Sequence, residues 1–160
     1  MSNLFNDNAH VPGEGDSPDD PSKDFPMKES FTDFSGIARQ FEITMREVSV
    51  GYLLDATEVG KSIGYRFSAF DAASPYLALG NLRVKMRRAL ATRHIEAPDG
   101  NPSALHDTLR GYITGDSDVE GPIFVVDGQA LQLSDIARIA STHEGFQFRL
   151  EFFDSTDTVP

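Results

Sequence analysis

The chain has 160 residues, enough for one sizeable hydrophobic core, and carries a formal net charge of −11. It contains no cysteine, which excludes disulfides, thiolate catalysis and cysteine-ligated zinc or iron–sulfur centres. The acidic balance argues against non-specific nucleic-acid binding by the whole molecule, but it leaves room for a local basic patch.

The first thirty residues are expected to form a disordered acidic tail. They hold seven acidic residues, two lysines and four of the nine prolines. Such a segment cannot bury enough apolar surface to offset the entropy that it loses on ordering. Residues 31–154 are expected to form a single domain, followed by a short C-terminal tail over residues 155–160.

A cytoplasmic location without a membrane partner is expected. No run of about 18 apolar residues occurs that could span a membrane. The N-terminus also lacks the basic region followed by an apolar one that marks a secretion signal.

The residue pattern from Phe31 onwards predicts an α+β fold with a mainly antiparallel sheet of about five to six strands. Alternation of Phe41, Ile43 and Met45 with polar residues is typical of a half-buried strand, which continues after a bend near Gly51. A first helix is expected over about 75–95, with Ser74 as its N-cap and a proline at its first position.

The second half of the chain carries the clearest hairpin signal. Asp127 and Gly128 separate two apolar, β-branched runs and suit a two-residue turn. A second helix is expected over about 135–144, with Ser134 as its N-cap. The stretch "FQFRLEFFD", residues 146–154, is expected to close the domain as a strand.

Positive charge is concentrated on the first predicted helix. The stretch "GNLRVKMRRALATRH", residues 80–94, holds five of the fourteen Lys and Arg residues. On a helical wheel these charges occupy most of the circumference outside the core, as on an ordinary solvated helix. Two other hypotheses stay open: the flank of Arg83, Arg87 and His94 binds phosphate or carboxylate groups, or it receives the protein's own acidic tail and is masked by it.

Aromatic residues suggest a second contact surface. Phe70 and Phe153 are expected on the side of the sheet that faces away from the core, where they would form an apolar patch suited to a protein partner. The candidate ligand- or partner-binding residues are therefore Arg83, Arg87, Arg88, Arg93, His94, Phe70 and Phe153.

An acidic loop between two predicted strands resembles part of a calcium site. Asp116, Asp118, Glu120 and Asp127 occupy positions 1, 3, 5 and 12 of an EF-hand-like loop. Strands flank the loop instead of helices, and Asp127 is already needed in the hairpin turn. A solvated acidic turn is therefore the favoured interpretation. No catalytic motif is found, and neither a catalytic residue nor a cofactor is expected.

Six pieces in order resemble a family of uncharacterised bacterial proteins, a domain of unknown function. They are "FEITMRE", "GYRF", "LRVKMRRALATRH", "RGYI", "PIFVVDG" and "HEGFQFRLEFFD", and the resemblance covers about residues 33–154. Some members carry a cysteine-containing segment ahead of this domain, which is replaced here by the cysteine-free acidic tail. The resemblance implies one domain and supplies no activity.

Together these features favour a non-enzymatic protein that binds another macromolecule, above all another protein. The acidic tail would dock on the partner or imitate nucleic acid. The alternative is a phosphate or nucleic-acid ligand on the basic helix, residues 83–94. A third class is a small hydrolase that uses His94, or a calcium-binding domain. The oligomeric state is left open.

Overall fold

The computed structural model describes residues 20–160, and within that range the chain forms two α-helices and nine strands in three antiparallel sheets. The predicted α+β class is confirmed. The strands are divided among sheets of four, two and three strands, where the sequence predicted one larger sheet. Over the same residues, no helix is both long and apolar enough to cross a membrane.

The first sheet is a four-stranded antiparallel meander, in which each strand pairs with the next along the chain. Its strands are β1 (Met27–Thr32), β2 (Ala38–Val48), β3 (Gly51–Glu58) and β4 (Arg66–Asp71). The predicted alternation in β2 is confirmed, because Phe41 and Ile43 are fully buried while Glu42 between them is exposed. The bend expected near Gly51 is the hairpin turn between β2 and β3, where Val48 pairs with Gly51.

Part of the predicted disordered tail belongs to this sheet, so the tail boundary at residue 30 is wrong. A short 3-10 helix spans Pro21–Asp24, and β1 pairs with β2 along its whole length. Phe25 and Met27 pack against the buried cluster. The prediction of disorder missed them because it rested on the composition of the whole segment, which acidic residues and prolines dominate. Residues 1–19 of the predicted tail lie outside the described residues.

A buried ionic network links β1, β2 and β3. Arg39 donates hydrogen bonds to Asp33 at 2.6 Å and to Glu58 at 2.8 Å, and both carboxylates are almost fully buried. Burial works to raise the pKa of Asp33. Hydrogen bonds from Ser35, Arg39 and Ile37 outweigh it and hold that pKa well below its usual range. The network therefore stabilises the sheet at neutral pH and loses its effect as the pH falls through the depressed folded-state pKa.

Helix α1 (Pro75–Leu90) covers one face of the first sheet. It begins as predicted, since the side chain of Ser74 accepts a hydrogen bond from the N–H of Tyr76 at 3.2 Å. The side chains that it buries against the sheet follow helical spacing: Ala78, Leu79, Leu82, Met86 and Leu90.

The first helix ends at Leu90, short of the predicted end near residue 95. The N–H groups of His94 and Ile95 donate to the carboxylate of Asp127, at 2.7 and 2.9 Å, and make no helical hydrogen bonds. Arg93 and His94 therefore lie beyond the helix, and the predicted flank of Arg83, Arg87 and His94 along one helix does not form.

After α1 the chain forms two smaller sheets and a second helix. The elements are β5 (Ile95–Glu96), β6 (Ser103–Ala104), β7 (Gly111–Thr114), β8 (Ile123–Val126), β9 (Gln129–Gln132) and α2 (Leu133–Ser141). Strands β5 and β6 pair with each other, and β7, β8 and β9 form a meander. The predicted hairpin is confirmed: Asp127 and Gly128 join β8 to β9 with φ angles of 52° and 72°, as a type I′ turn requires.

The second helix begins slightly earlier than predicted. Its N-cap is Gln132 and not Ser134, and the Gln132 N–H donates to the Asp135 carboxylate at 2.9 Å. Ser134 was predicted because serine is in general a better N-cap residue than glutamine. In the structure, hydrogen bonding between Gln132 and Asp135 sets the start of the helix two residues earlier.

The buried apolar residues of the described chain form two clusters. The first contains Phe31, Phe41, Ile43, Leu54, Ala56, Tyr65, Ala69, Ala78, Leu79, Leu82, Met86 and Leu90, and the second contains Ile95, Val126, Leu131 and Ile139. The three-stranded sheet contacts the chain just before β4, where the Tyr112 hydroxyl donates to the carbonyl of Gly64 at 2.6 Å. Gly128 lies against the Tyr65 ring, and a Cβ there would come within 2.8 Å of a ring carbon.

The strand predicted over residues 146–154 is not formed among the described residues. Residues 146–153, hereafter the C-terminal aromatic segment, lie outside every sheet and helix. Residues 147–153 make no backbone–backbone hydrogen bond with a described residue. The alternation of apolar and polar residues suits a strand with one buried face. No sheet edge within residues 20–160 pairs with the segment, so this strand does not form there.

Gly80 offers a test of the position of α1. A Cβ at Gly80, inside the exposed face of the helix, would meet no atom within 4 Å. We expect Gly80→Ala to raise the free energy of unfolding by about 0.5–1 kcal/mol, as measured by urea denaturation.

The contrasting variant is Gly51→Ala. Gly51 has a φ of +149°, and a Cβ there would lie 2.4 Å from the carbonyl oxygen of Asp71. This variant should lower the free energy of unfolding by more than about 1 kcal/mol. A Gly80→Ala chain that is less stable than the wild type would contradict a regular helix at this position.

Candidate interaction surface

The basic residues of α1 divide into one that is paired with a carboxylate and others that are not. The Arg83 Nε–H is shared between the two Glu29 carboxylate oxygens, at 3.0 and 3.1 Å, and a terminal nitrogen of Arg83 donates a further hydrogen bond to the same carboxylate. These bonds raise the pKa of Arg83, against a smaller opposing effect of burial. Glu29 belongs to the acidic N-terminal region, so one carboxylate of that region does cover one arginine of the helix.

Arg87, Arg88 and Arg93 form no ion pair with any residue between 20 and 160. Arg87 lies over the ring of Phe31, at 5.8 Å from its centroid, and Arg93 lies over the ring of Phe34 at 5.7 Å. All three side chains are exposed around the C-terminal end of α1. An open groove of about 340 Å³ beside Arg87 is lined also by residues 29–32 of β1.

His94, the remaining residue of the predicted basic flank, is held by Asp127. Its Nδ1 lies 3.0 Å from one carboxylate oxygen, and its backbone N–H donates to the other. Asp127 is itself buried, with a side chain that is only 3% exposed. The imidazole and carboxylate therefore join the β8–β9 turn to the chain after α1, and this contact gives His94 a structural role.

The candidate calcium loop is not assembled. Asp127 directs its carboxylate to His94 and Ile95, away from a shared cation position. Asp116 accepts a hydrogen bond from the N–H of Asp118 at 3.0 Å, as in an ordinary acidic turn. Across residues 20–160, no three His, Asp or Glu side chains converge on a point that suits a metal ion.

The two predicted aromatic contact residues do not lie on a common sheet. Phe70 is on β4, where it is partly buried beside Gly51. Phe153 belongs to the C-terminal aromatic segment and is 41% exposed. Because the predicted last strand does not form, the expected apolar patch on the outer sheet face does not form either, and the exposed aromatic surface lies on the segment itself.

The C-terminal aromatic segment presents most of its side chains to solvent. Phe148 is 90% exposed, and Phe152 is 73% exposed. Phe146 and Leu150 are exposed to about the same degree as each other, at 66% and 67%. Monomeric proteins rarely leave so many large apolar side chains uncovered in one stretch, so this segment is the strongest candidate contact surface in the described chain.

Both ends of this segment are anchored on the fold. At its start, the Phe146 N–H donates to the carbonyl of His143 at 2.9 Å, and the two rings meet edge to face. Just beyond its end, the Lys85 ammonium donates to the carbonyls of Ser155 and Asp157 at 2.8 and 2.6 Å. Lys85 also donates to the carbonyl of Ser68 on β4 at 3.0 Å. The segment therefore runs between two fixed points.

The histidine at the start of the segment is also fixed by a carboxylate. His143 Nδ1 lies 3.0 Å from the carbonyl oxygen of Ile139, and its Nε2 lies 2.9 Å from a carboxylate oxygen of Asp107. Both contacts raise the pKa of His143, because the protonated ring can donate to both oxygens at once. The sequence gives no signal for this pair, since its members lie 36 residues apart.

Comparison with known families divides the chain close to the end of α1. Residues 23–91 match a family model described as Domain of unknown function (DUF7686), and residues 94–157 match Domain of unknown function (DUF7713). The expected resemblance to uncharacterised domains is confirmed, with two family models in place of one. That residues 31–154 act as a single domain stays a prediction. Neither the curated proteins nor the solved structures contain a match.

The His143–Asp107 pair can be tested by titration. We expect Asp107→Asn to lower the pKa of His143 toward the ordinary value of 6.5, as measured from the imidazole NMR shifts. Because the folded-state pKa is raised, the stabilising effect of the pair is complete below the unfolded-state pKa. It is lost as the pH rises through the folded-state pKa. Asp118→Asn is the control, and an equal shift in both variants would contradict the pairing.

Proposed function

We propose that this chain, in which two domains of unknown function follow one another, is a non-enzymatic binding protein whose partner is another protein. The observation that carries the proposal is the exposure of the C-terminal aromatic segment. Its apolar side chains recur with the period of a strand and are largely exposed to solvent, with little contact from residues 20–160. An added strand is a common mode of protein recognition, in which main-chain hydrogen bonds supply affinity and alternate side chains supply specificity.

The acidic N-terminal region supports the same proposal. Five of its seven acidic residues precede Asp24, and the stretch is rich in proline. A charged arm of this composition suits docking on a basic partner, or imitation of a nucleic acid toward a protein that binds one. We place the interaction in the bacterial cytoplasm, a reducing compartment with which a cysteine-free chain is compatible.

The roles of the two histidine–carboxylate pairs favour binding over catalysis. His94 and Asp127 tie a turn to the chain after α1, and their side chains are only 12% and 3% exposed. His143 and Asp107 fix the start of the C-terminal aromatic segment. Both pairs therefore have a structural explanation in the fold.

Replacing two phenylalanines should abolish partner capture. The change is Phe148→Asp together with Phe152→Asp, and we expect loss of the proteins that the tagged wild type captures from nuclease-treated host lysate. Burying either carboxylate in an interface would cost several kcal/mol, on the order of 2 or more for each. The readout is quantitative mass spectrometry of the captured proteins.

The control for this experiment is Val84→Asp, because Val84 is an apolar residue of α1 that is 64% exposed. A chain that begins at Asp20 tests the acidic arm separately and leaves β1 in place. Capture that is unchanged by the double replacement would contradict the proposal, whatever the truncated chain does.

A second candidate function is the binding of phosphate groups or nucleic acid by Arg87, Arg88 and Arg93. The observation in its favour is that these three arginines have no carboxylate partner among residues 20–160, in a chain with a net charge of −11. It predicts that a fluorescent single-stranded oligonucleotide binds with an affinity that falls steeply as salt is raised.

Replacing Arg87 and Arg88 by Ala should then weaken oligonucleotide binding. The slope of affinity against salt should also fall by about one for each phosphate group that the variant no longer binds. Fluorescence anisotropy over a salt series provides the measurement. Arg46→Ala is the matched control, since Arg46 is exposed but paired with Asp55 at 3.1 Å. Equal losses in both variants would contradict a site at the end of α1.

A further inference from the structure

We propose that the C-terminal aromatic segment pairs antiparallel with the same segment of a second copy of this chain, about a two-fold axis through Leu150. This inference rests on the proposed function, since it names the partner of the same segment.

The backbone of the segment is available for pairing with another strand. Residues 147–153 make no backbone–backbone hydrogen bond with a described residue, although polar and apolar side chains alternate from residue 147 to residue 152 as in a strand. An unpaired strand-forming stretch is a template for pairing with another chain. Because both ends are already anchored, through His143 and Lys85, less chain entropy is lost when the segment is ordered in an interface.

The sequence of the segment is complementary to itself in one register. When Leu150 lies opposite Leu150 of the second copy, Arg149 lies opposite Glu151, and the same pair recurs on the other side of the axis. Phe148 then lies opposite Phe152 on the other face of the ribbon. Opposite charges and aromatic pairs directly across an antiparallel ladder are both favourable. A two-fold interface requires such reciprocity, in which residue i contacts j and j contacts i.

Neighbouring registers lack this complementarity. If Arg149 lay on the axis, two arginines would face each other, and if Glu151 lay there, two carboxylates would do so. A shift by a single position would put Leu150 opposite Arg149 or Glu151, a charged residue opposite an apolar one. The register centred on Leu150 is thus the one in which residues 148–152 match on both faces of the ribbon.

The edge of this chain's own first sheet is a less suitable partner. On β4, the carbonyl of Ser68 already accepts a hydrogen bond from Lys85, and the same ammonium holds Ser155. Self-pairing leaves these bonds in place. It also forms a closed dimer, because each copy contributes its one segment to the shared ribbon.

Charge reversal with mixing tests the proposal on the full chain. Arg149→Glu gives a copy with two carboxylates in the segment, and Glu151→Arg gives a copy with two cations. Each variant alone places like charges opposite each other, so we expect its dimer dissociation constant to rise by about tenfold or more. Mixed in equal amounts, the two variants restore both opposite-charge pairs and should form a heterodimer.

The measurement is sedimentation velocity over a wide range of concentration, with one variant fluorescently labelled in the mixture. Arg149 and Glu151 also form an ion pair within one chain. That pair cannot be rescued by mixing two chains, so recovery in the mixture reports contact between copies. Variants that stay dimeric alone, or a mixture that stays monomeric, would overturn the proposal.

A cysteine scan tests the register directly, since the chain contains no other thiol. Residues directly opposite each other in an antiparallel pair have Cα atoms about 4.5–5.5 Å apart, within reach of a disulfide. Leu150→Cys should therefore form a crosslinked dimer on mild oxidation. Gln147→Cys is the control, because Gln147 lies opposite Phe153, and two cysteines at position 147 would be about 20 Å apart. Equal crosslinking of both, or of neither, would overturn the register.

Failure of the inference can be told from failure of the proposed function. A wild-type chain that stays monomeric at all concentrations overturns self-pairing, yet leaves the effect of Phe148→Asp and Phe152→Asp on captured proteins as a separate result. A dimer that forms as expected, with no change in captured proteins on that double replacement, supports self-pairing and counts against a different protein partner.

Discussion

The arrangement of the chain after α1 depends on the buried carboxylate of Asp127. It accepts hydrogen bonds from the backbone of His94 and Ile95 and lies within hydrogen-bond distance of the His94 ring. Burying a carboxylate is costly unless its oxygens are hydrogen-bonded, and these contacts satisfy both oxygens of Asp127. They bind the chain just after the end of α1, join it to the β8–β9 hairpin, and lie close to the boundary between the two matched families.

Local signals predicted much of the fold, because their partners are close in sequence. Ser74 and the proline after it set the start of α1, and Asp127 with Gly128 set the hairpin through their left-handed φ angles. The predicted end of α1 was wrong because the acceptor for the N–H groups of His94 and Ile95 lies more than 30 residues further along the chain, at Asp127. A helical wheel cannot include an acceptor that the chain supplies only later.

The candidate surface was predicted less well, for a related physical reason. The basic residues of the helix and the aromatic alternation near Phe148 were visible in the sequence. The residues that lie next to them in the fold could not be predicted from it. Whether an arginine is covered depends on a distant carboxylate, as Glu29 covers Arg83 across 54 residues. Whether a segment with a strand-like pattern pairs depends on a sheet edge that is available to it. The pattern alone does not say whether that edge belongs to the same chain or to another.

The contacts of Lys85 bear on how these two domain families could evolve. Lys85 belongs to the first match, while the carbonyls of Ser155 and Asp157 belong to the second. Backbone carbonyls are present whatever side chain occurs at those positions, so the sequence of the C-terminal stretch can change without loss of the hydrogen bonds to Lys85. The cation cannot change in the same way. A gene fusion that brought a new first half to this second half would keep these hydrogen bonds only if it carried a lysine or arginine at that turn of the helix.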